Sequence, residues 1–258
     1  LVVEQALRHA RLHAEARDLA RRAQVAEKLA AVGTMTAGLS HEIRNPLNAA
    51  ALQLSVLERR VHRLAAEAQP SLLEPLTLVK DEIRRLDHIL EDFLQFARPR
   101  EFVAKPVDVV AVVSRVLDLL GGEAERRGVR LERDLDPVPP IAGDDERLRQ
   151  VLVNLGLNAL EAVRDGGAVR VSCGLEPPDP DHAGAGPAVA IRIDDDGTGV
   201  PPESRDRIFE PFFTTKARGS GLGLSIVHAI VTQHGGRIRV EDSPDGGARF
   251  VLVLPLAR

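Results

Sequence analysis

Along the first hundred residues, apolar positions recur at alternating spacings of four and three; beyond them, short runs alternate apolar and polar. Leu12, Ala16, Leu19, Ala23, Ala26 and Ala30 keep heptad spacing in a stretch without Gly or Pro. That pattern predicts a signalling helix over residues 1–31 in a parallel two-stranded coiled coil. The seam is thin because its residues are small, so a lone amphipathic helix packed on another domain is the alternative. Gly33 and Gly38 then lower helix propensity by about 1 kcal/mol each relative to Ala. A new seam runs through Leu39, Ile43, Leu47, Ala50, Leu54, Leu57, Val61 and Leu64. Gln69, Pro70 and Ser71 are expected to break the helix, with Ser71 capping the next one. That helix carries Leu72, Leu76, Val79, Ile83, Leu86, Leu90 and Phe93 at the same spacing.

Two helices with matching seams predict an antiparallel hairpin over residues 32–98. One hairpin has too small a core to stand alone. Two hairpins from two chains close into a four-helix bundle, so a homodimer is expected.

After a linker at 99–106 the pattern changes. Val109, Val113, Val116, Leu117 and Leu120 mark a helix over Asp108 to Arg127, followed by a short strand at Val129 to Glu132 and a helix over Asp144 to Val163. Val169, Val171, Cys173 and Leu175 alternate as a strand, as do Val189, Ile191 and Ile193. Residues 176–187 carry no packing signal. Leu222 to His234 is a further helix, and two strands flank the turn at Asp245 to Gly247. The predicted class is multidomain α+β: a coiled coil and dimeric helical bundle, then an α/β sandwich over 107–258 with helices on one side of a sheet.

Composition removes several function classes. A net charge of −4 gives no electrostatic case for nucleic acid or a membrane surface. The single cysteine, Cys173, rules out a disulfide within the chain and makes a zinc site implausible. No apolar run reaches the ~18 residues of a membrane helix. The chain starts at Leu1 without a methionine, so a longer protein is expected, with an upstream sensor or membrane anchor. The expected compartment is the cytoplasm, and no membrane contact by this part is expected.

Five stretches carry candidate chemistry. The first is Ser40–Leu47, SHEIRNPL. His41 offers a nucleophilic ring nitrogen near neutral pH, and Glu42 can take a proton or orient the ring. His41 lies two residues from both Leu39 and Ile43, which turns it away from the seam. Pro46 removes one backbone donor and should bend the helix there. The second is Asn154 and Asn158, four residues apart on one helix face. Their amide oxygens suit a hard ion such as Mg²⁺, and equally an ordinary polar surface. The third is Asp194–Gly199, DDDGTG, at a strand end. A carboxylate there can accept from an adenine amino group while glycines admit close backbone approach; an acidic turn is the plain alternative. The fourth is FEPFFTTK, Phe209–Lys216, which holds three of the chain's seven phenylalanines and a lysine able to reach phosphate. The fifth is GSGLGL, Gly219–Leu224, entering a helix whose backbone N–H groups can bind phosphate. Its late position does not fit a dinucleotide site.

Taken in this order, the last four stretches resemble the catalytic ATP-binding domain of sensor histidine kinases, part of the Bergerat-fold group. SHEIRNPL resembles the phosphoacceptor box of the same kinases, and the hairpin resembles their dimerisation and histidine-phosphotransfer domain. HEIRNPL, NLGLNALEA and PFFTTK followed at once by GSGLGL are most similar to the nitrogen-regulator type with its short ATP lid. The resemblance implies ATP-dependent autophosphorylation on His41, with Glu42 as base or orienting partner and Asn45 serving dephosphorylation. It implies transfer of the phosphoryl group to an aspartate of a response regulator receiver domain. By the same resemblance Asn154 and Asn158 hold Mg²⁺ and phosphate, and Asp195 reads adenine with Gly197 and Gly199 lining the site. Phe209 and Lys216 belong to the lid region, and Gly219, Gly221, Leu222 and Gly223 to the phosphate loop. The implied cofactors are ATP and Mg²⁺.

Two positions depart from the pattern. Glu161 stands where many relatives carry lysine, so the phosphate-neutralising cation must come from elsewhere, with Lys216 and Arg218 as candidates. Ala248 stands where threonine is common. Two rival readings are an ATP-independent phosphorelay scaffold and a clamp-type ATPase. The ATPase would need a water-activating carboxylate at the position of Asn154.

Overall fold

The structure is a computed structural model, and it describes residues 43, 45–63, 69–97, 102–176, 186–216 and 219–256. The chain divides into two compact units, Leu1–Arg100 and Glu101–Arg258. The expected coiled coil at 1–31, together with His41, Glu42, Leu39, Leu64 and Arg218, lies outside the described residues, as does 177–185 within the long polar loop.

In the first unit, α1 (residues 45–61) and α2 (Gln69–Ala97) form the two helices of the hairpin region. The break between them falls earlier than the sequence suggests. Residues 62 and 63 are a turn, whereas Gln69, Pro70 and Ser71 already belong to the first turn of α2. Proline suits a first turn because its missing N–H has no intrahelical acceptor there. Ser71 is therefore a helical residue and not the cap. Pro75 lies inside the same helix, at the cost of one further backbone bond. Pro46 likewise sits in helical backbone, between Asn45 and Leu47. Lys80 Nζ donates to Glu58 Oε2 at 2.6 Å, joining the two helices. The apolar seam is only partly covered: Val61 is buried, but Ile43, Leu57, Leu72, Val79 and Leu86 are exposed.

The second unit begins with β1 (Lys105–Val107), which pairs antiparallel with β3 (Ile141–Gly143). Residues 105 and 106, expected in the linker, are thus in a strand. Helix α3 (Val109–Arg126) follows, its first turn capped by Asp108, whose carboxylate accepts from the Ala111 N–H at 3.0 Å. Such a cap contributes about 1 kcal/mol. Then come β2 (Arg130–Leu135), α4 (Asp145–Ala162), β4 (Ala168–Glu176), β5 (Ala188–Asp195), α5 (Gly223–Gln233), β6 (Arg237–Asp242) and β7 (Ala248–Pro255). The larger sheet has the order β2-β4-β5-β7-β6. Among the described residues only β2 and β4 pair in parallel, and α4 is the crossover such a pair requires.

Alternation along the strands sends Val169, Val171, Cys173, Ile191, Ile193, Phe250, Leu252 and Leu254 into the core. There they meet Val113, Val116, Leu117 and Leu120 of α3, Val151, Leu152 and Leu155 of α4, and Ile226, Val227 and Ile230 of α5. Burial pushes the Cys173 thiol up to about 11, which leaves it an inert core residue. The opposite sheet face carries ion pairs. Arg170 bonds Glu132 at 3.0 Å, Arg249 bonds Asp194 at 2.5 Å, and Arg192 bonds Glu176.

Candidate functional site

Helix α4 buries Val151, Leu152, Leu155, Ala159 and Leu160 against the core. The 3.6-residue period therefore sets Asn154, Asn158 and Glu161 in a row along its outer side. The C-terminal end of α4 meets the end of β5: a Cβ on Gly197 would lie 2.7 Å from the Ala162 carbonyl carbon. Glycine is required there because the backbone crosses the helix end without room for a side chain.

Asp195 ends β5 and is only 2% exposed. Its Oδ1 accepts from the N–H of Gly197 at 2.9 Å and of Ala248 at 3.1 Å. Oδ2 has no protein partner among the described residues. Burial raises the Asp195 carboxyl above the usual range, and the two main-chain donors offset this only in part. Gly247 lies against Asp195, and Gly199, at φ +69°, lies against Gly247. The result is a carboxylate fixed through one oxygen, at the floor of a glycine-lined turn, with the other oxygen available to a donor.

The segment after β5 passes through 3₁₀ turns at Pro202–Ser204 and Arg207–Phe209. Phe209 lies 5.7 Å from the His228 ring of α5, and the Arg207 guanidinium sits 4.6 Å over the Phe213 ring. Between them Phe212 adopts φ +66°, an uncommon conformation for a large residue. Its N–H donates to the Gly221 carbonyl at 2.9 Å. Gly221, at φ +69°, has the Phe212 backbone so near that an added Cβ would sit 2.8 Å from its Cα. These two residues clasp the ends of the loop carrying Lys216.

Lys216 Nζ donates to Asn158 Oδ1 at 2.8 Å and to Glu161 Oε2 at 2.5 Å. Its own N–H donates to Thr214 Oγ1 at 3.1 Å, and its carbonyl accepts from the Gly219 N–H at 3.2 Å. A Cβ on Gly219 would collide with Thr214 Oγ1. Leu222 is buried and precedes the first turn of α5, where the Leu222 N–H donates to Ser220 Oγ at 3.3 Å. Gly223 opens α5 with nothing within 4 Å of an added Cβ. A cavity of about 360 Å³ lies elsewhere, at the starts of α3 and α4. Asp108 and Asp144, which line it, are taken up as helix caps.

Comparison with known proteins gives this arrangement a family. Residues 143–258 match the histidine kinase-, DNA gyrase B- and HSP90-like ATPase model, and residues 31–102 match the His Kinase A phosphoacceptor domain. A mycobacterial sensor histidine kinase structure, MprB, is 33% identical, with 97% of that chain and 59% of this one covered at a TM-score of 0.51. The chain belongs to the sensor histidine kinases.

Among curated members, ZraS of Escherichia coli K12 is 36% identical over 89% of this chain and 47% of its own. Sporulation kinase E of Bacillus subtilis is 32% identical over 94% of this chain and 31% of its own. The chain thus spans about half the length, or less, of the curated relatives it matches. Full-length ShkA, crystallised with AMPPNP, is 31% identical with a TM-score of 0.66, covering 85% of this chain and 45% of that one. Helical phosphoacceptor region followed by α/β ATPase-type domain is the family's order, and it is the order expected from the sequence.

The geometry fits a nucleotide. Asp195 Oδ2 can accept from an adenine amino group, and Gly197 and Gly247 pack so closely beside it that a Cβ on either would collide with Asp195 or the end of α4. Asn158 and Lys216 lie together on the α4 side, with the ammonium donating to the amide oxygen. Among the described residues no group of three or more His, Cys, Asp or Glu could hold a metal. An amide-and-phosphate site for Mg²⁺ needs no such group.

The sequence-derived candidates Asn154, Asn158, Asp195, Gly197, Gly199, Phe209, Lys216, Gly219, Gly221, Leu222 and Gly223 all lie in this unit. Asn45 lies in the helical unit, exposed on α1. Sequence reasoning gave no site role to Phe212 or Gly247 and read Ala248 only as a departure from the pattern. Ala248 acts through its main chain and so leaves no side-chain signal.

Proposed function

We propose that this chain is the catalytic core of an ATP-dependent protein histidine kinase acting in two-component signalling. The observation that carries the reading is the Asp195 carboxylate. It is buried, fixed through Oδ1 by two main-chain donors, and open at Oδ2, in a chain that also carries the SHEIRNPL box.

In this reading Asp195 binds the adenine amino group, and Gly197, Gly199 and Phe209 line the base. Gly221 and Gly223 present main-chain N–H groups to the phosphates, while Gly219 and Leu222, whose N–H groups bond the Lys216 carbonyl and Ser220 Oγ, shape the phosphate loop. Asn154 and Asn158 hold Mg²⁺, which would neutralise phosphate charge; Lys216 adds a further positive charge. His41 attacks the γ-phosphorus, an N–P bond forms and the bond to the ADP oxygen breaks. Glu42 orients the ring or takes its proton. Phosphoryl transfer of this kind demands in-line positioning and charge neutralisation more than covalent chemistry by the protein. The phosphoryl group then passes to an aspartate of a response regulator receiver domain, with Asn45 serving dephosphorylation.

The exposed seam residues Ile43, Leu57, Leu72, Val79 and Leu86 support a homodimer, because a second hairpin would cover them. Among the described residues no helix is long and apolar enough to cross a membrane. The proposed setting is a cytoplasmic segment of a longer protein that supplies the sensor.

The test is incubation with γ-labelled ATP and Mg²⁺. Acid-labile, alkali-stable label that disappears in His41→Gln is expected. Steady phosphate release with no labelled protein would overturn the reading in favour of a clamp-type ATPase.

A further inference from the structure

The row Asn154, Asn158, Glu161 on α4 ends in a carboxylate, and that carboxylate is engaged. Lys216 Nζ bridges Asn158 Oδ1 at 2.8 Å and Glu161 Oε2 at 2.5 Å. The loop around Lys216 is shaped for this: Thr214 Oγ1 holds its N–H and the Gly219 N–H holds its carbonyl. One ammonium therefore sits on the amide oxygen that the kinase reading assigns to Mg²⁺.

An ammonium 2.8 Å from an amide oxygen opposes a divalent cation on the same oxygen, because the two positive charges repel at close range. We infer that Glu161 is a positioning residue that holds Lys216 over the Asn158 metal position, so that Mg–nucleotide binds only by displacing this lysine. The inference rests on the kinase reading of the site. The displaced ammonium is then released toward the phosphates, so Lys216 opposes metal entry before binding and favours phosphate afterwards. Glu161 acts on the first state alone. Its side chain and that of Lys216 are 47% and 45% exposed. A pair this exposed contributes modestly, and its effect on affinity is correspondingly a few-fold.

The experiment is a titration of the whole chain with a fluorescent N-methylanthraniloyl ATP in excess Mg²⁺. It compares wild type, Glu161→Gln, Lys216→Met and the double variant. Glu161→Gln is expected to tighten binding about two- to fivefold, the range a partly exposed ion pair allows. On the Lys216→Met background the same substitution is expected to change nothing, because Glu161 then has no ammonium to hold. A gain that persists in the Lys216→Met background means that Glu161 merely repels the phosphates, and overturns the inference. So does a Glu161→Gln protein that binds as wild type or more weakly. Wild-type protein that binds no nucleotide overturns the kinase reading and the inference with it.

Discussion

The main-chain N–H of Ala248 on β7 donates to Asp195 Oδ1 on β5 at 3.1 Å, on the same oxygen that receives the Gly197 N–H at 2.9 Å. The pairing ties the Asp195 carboxylate to the sheet rather than to a neighbouring side chain. It also explains why alanine at 248 is no handicap for this bond: the donor is backbone. An asparagine at 195 would keep Oδ1 as acceptor and remove a buried charge. Asp195→Asn should therefore leave the melting temperature unchanged or raise it. Its Oδ2 acceptor becomes an NH₂ donor, so nucleotide binding should fall about 10- to 100-fold, as expected for one charge-assisted bond of about 1.5–3 kcal/mol. Calorimetry for stability and a nucleotide titration for affinity check the two halves separately.

Gly221 gives a second, sharper contrast. At φ +69° a Cβ costs roughly 1–2 kcal/mol in backbone energy alone, before any contact with the Phe212 backbone. Gly221→Ala should weaken nucleotide binding at least tenfold by disturbing the Phe212–Gly221 clasp. That backbone strain should also lower the melting temperature by at least a few degrees, at about 2–4 °C per kcal/mol. Gly223→Ala meets nothing within 4 Å and should leave the fold intact. Loss of nucleotide in that variant would report direct approach of a phosphate to the helix start.

The parts of this fold with strong periodicity were legible in the sequence. The apolar set Val109, Val113, Val116, Leu117 and Leu120 is the buried face of α3, because a five-point match to one helical face has few alternatives. The strands β1 and β3 were not legible. Three residues cannot display alternation, and Ile141–Gly143 follows the proline-rich turn at 137–140. The hairpin break was misplaced because proline and serine serve both to end a helix and to fill its first turn. Within the site, the spacing of Asn154 and Asn158 identified one face. Glu161 was visible only as a mismatch, and its partner Lys216, 55 positions away, is found by folding alone.

Asp194 and Arg249 supply a stability prediction away from the site. The Asp194 side chain is 2% exposed, and Arg249 Nε donates to its Oδ1 at 2.5 Å, with Ser243 Oγ at 3.5 Å. Removing the guanidinium leaves a buried carboxylate without its counter-ion, which typically costs about 3–5 kcal/mol. Arg249→Met should lower the denaturation midpoint of the second unit by that order. Combining it with Asp194→Leu should recover much of the loss, since an apolar pair carries no desolvation penalty. Urea unfolding of the four proteins in the cycle measures the coupling.

His234 makes stability depend on pH. Its ring is 5% exposed and stands 4.7 Å edge-on from the Phe102 ring. Nε2 accepts from the Asp144 N–H at 3.0 Å, so Nδ1 must carry the proton it shares with the Ile230 carbonyl at 2.8 Å. This is the neutral ring, and burial lowers its affinity for a second proton, with Arg147 adding to the effect. A folded value below the unfolded one of about 6.5 means that the unfolded chain takes up the proton first. The contribution of His234 is therefore complete above about pH 6.5 and is lost as pH falls through and below that value. His234→Gln, which keeps an amide donor and acceptor but does not titrate, should be less stable at pH 7.5 yet lose less stability between pH 7.5 and 5.5. Urea midpoints at the two pH values, compared between wild type and variant, isolate the histidine from the carboxylates common to both.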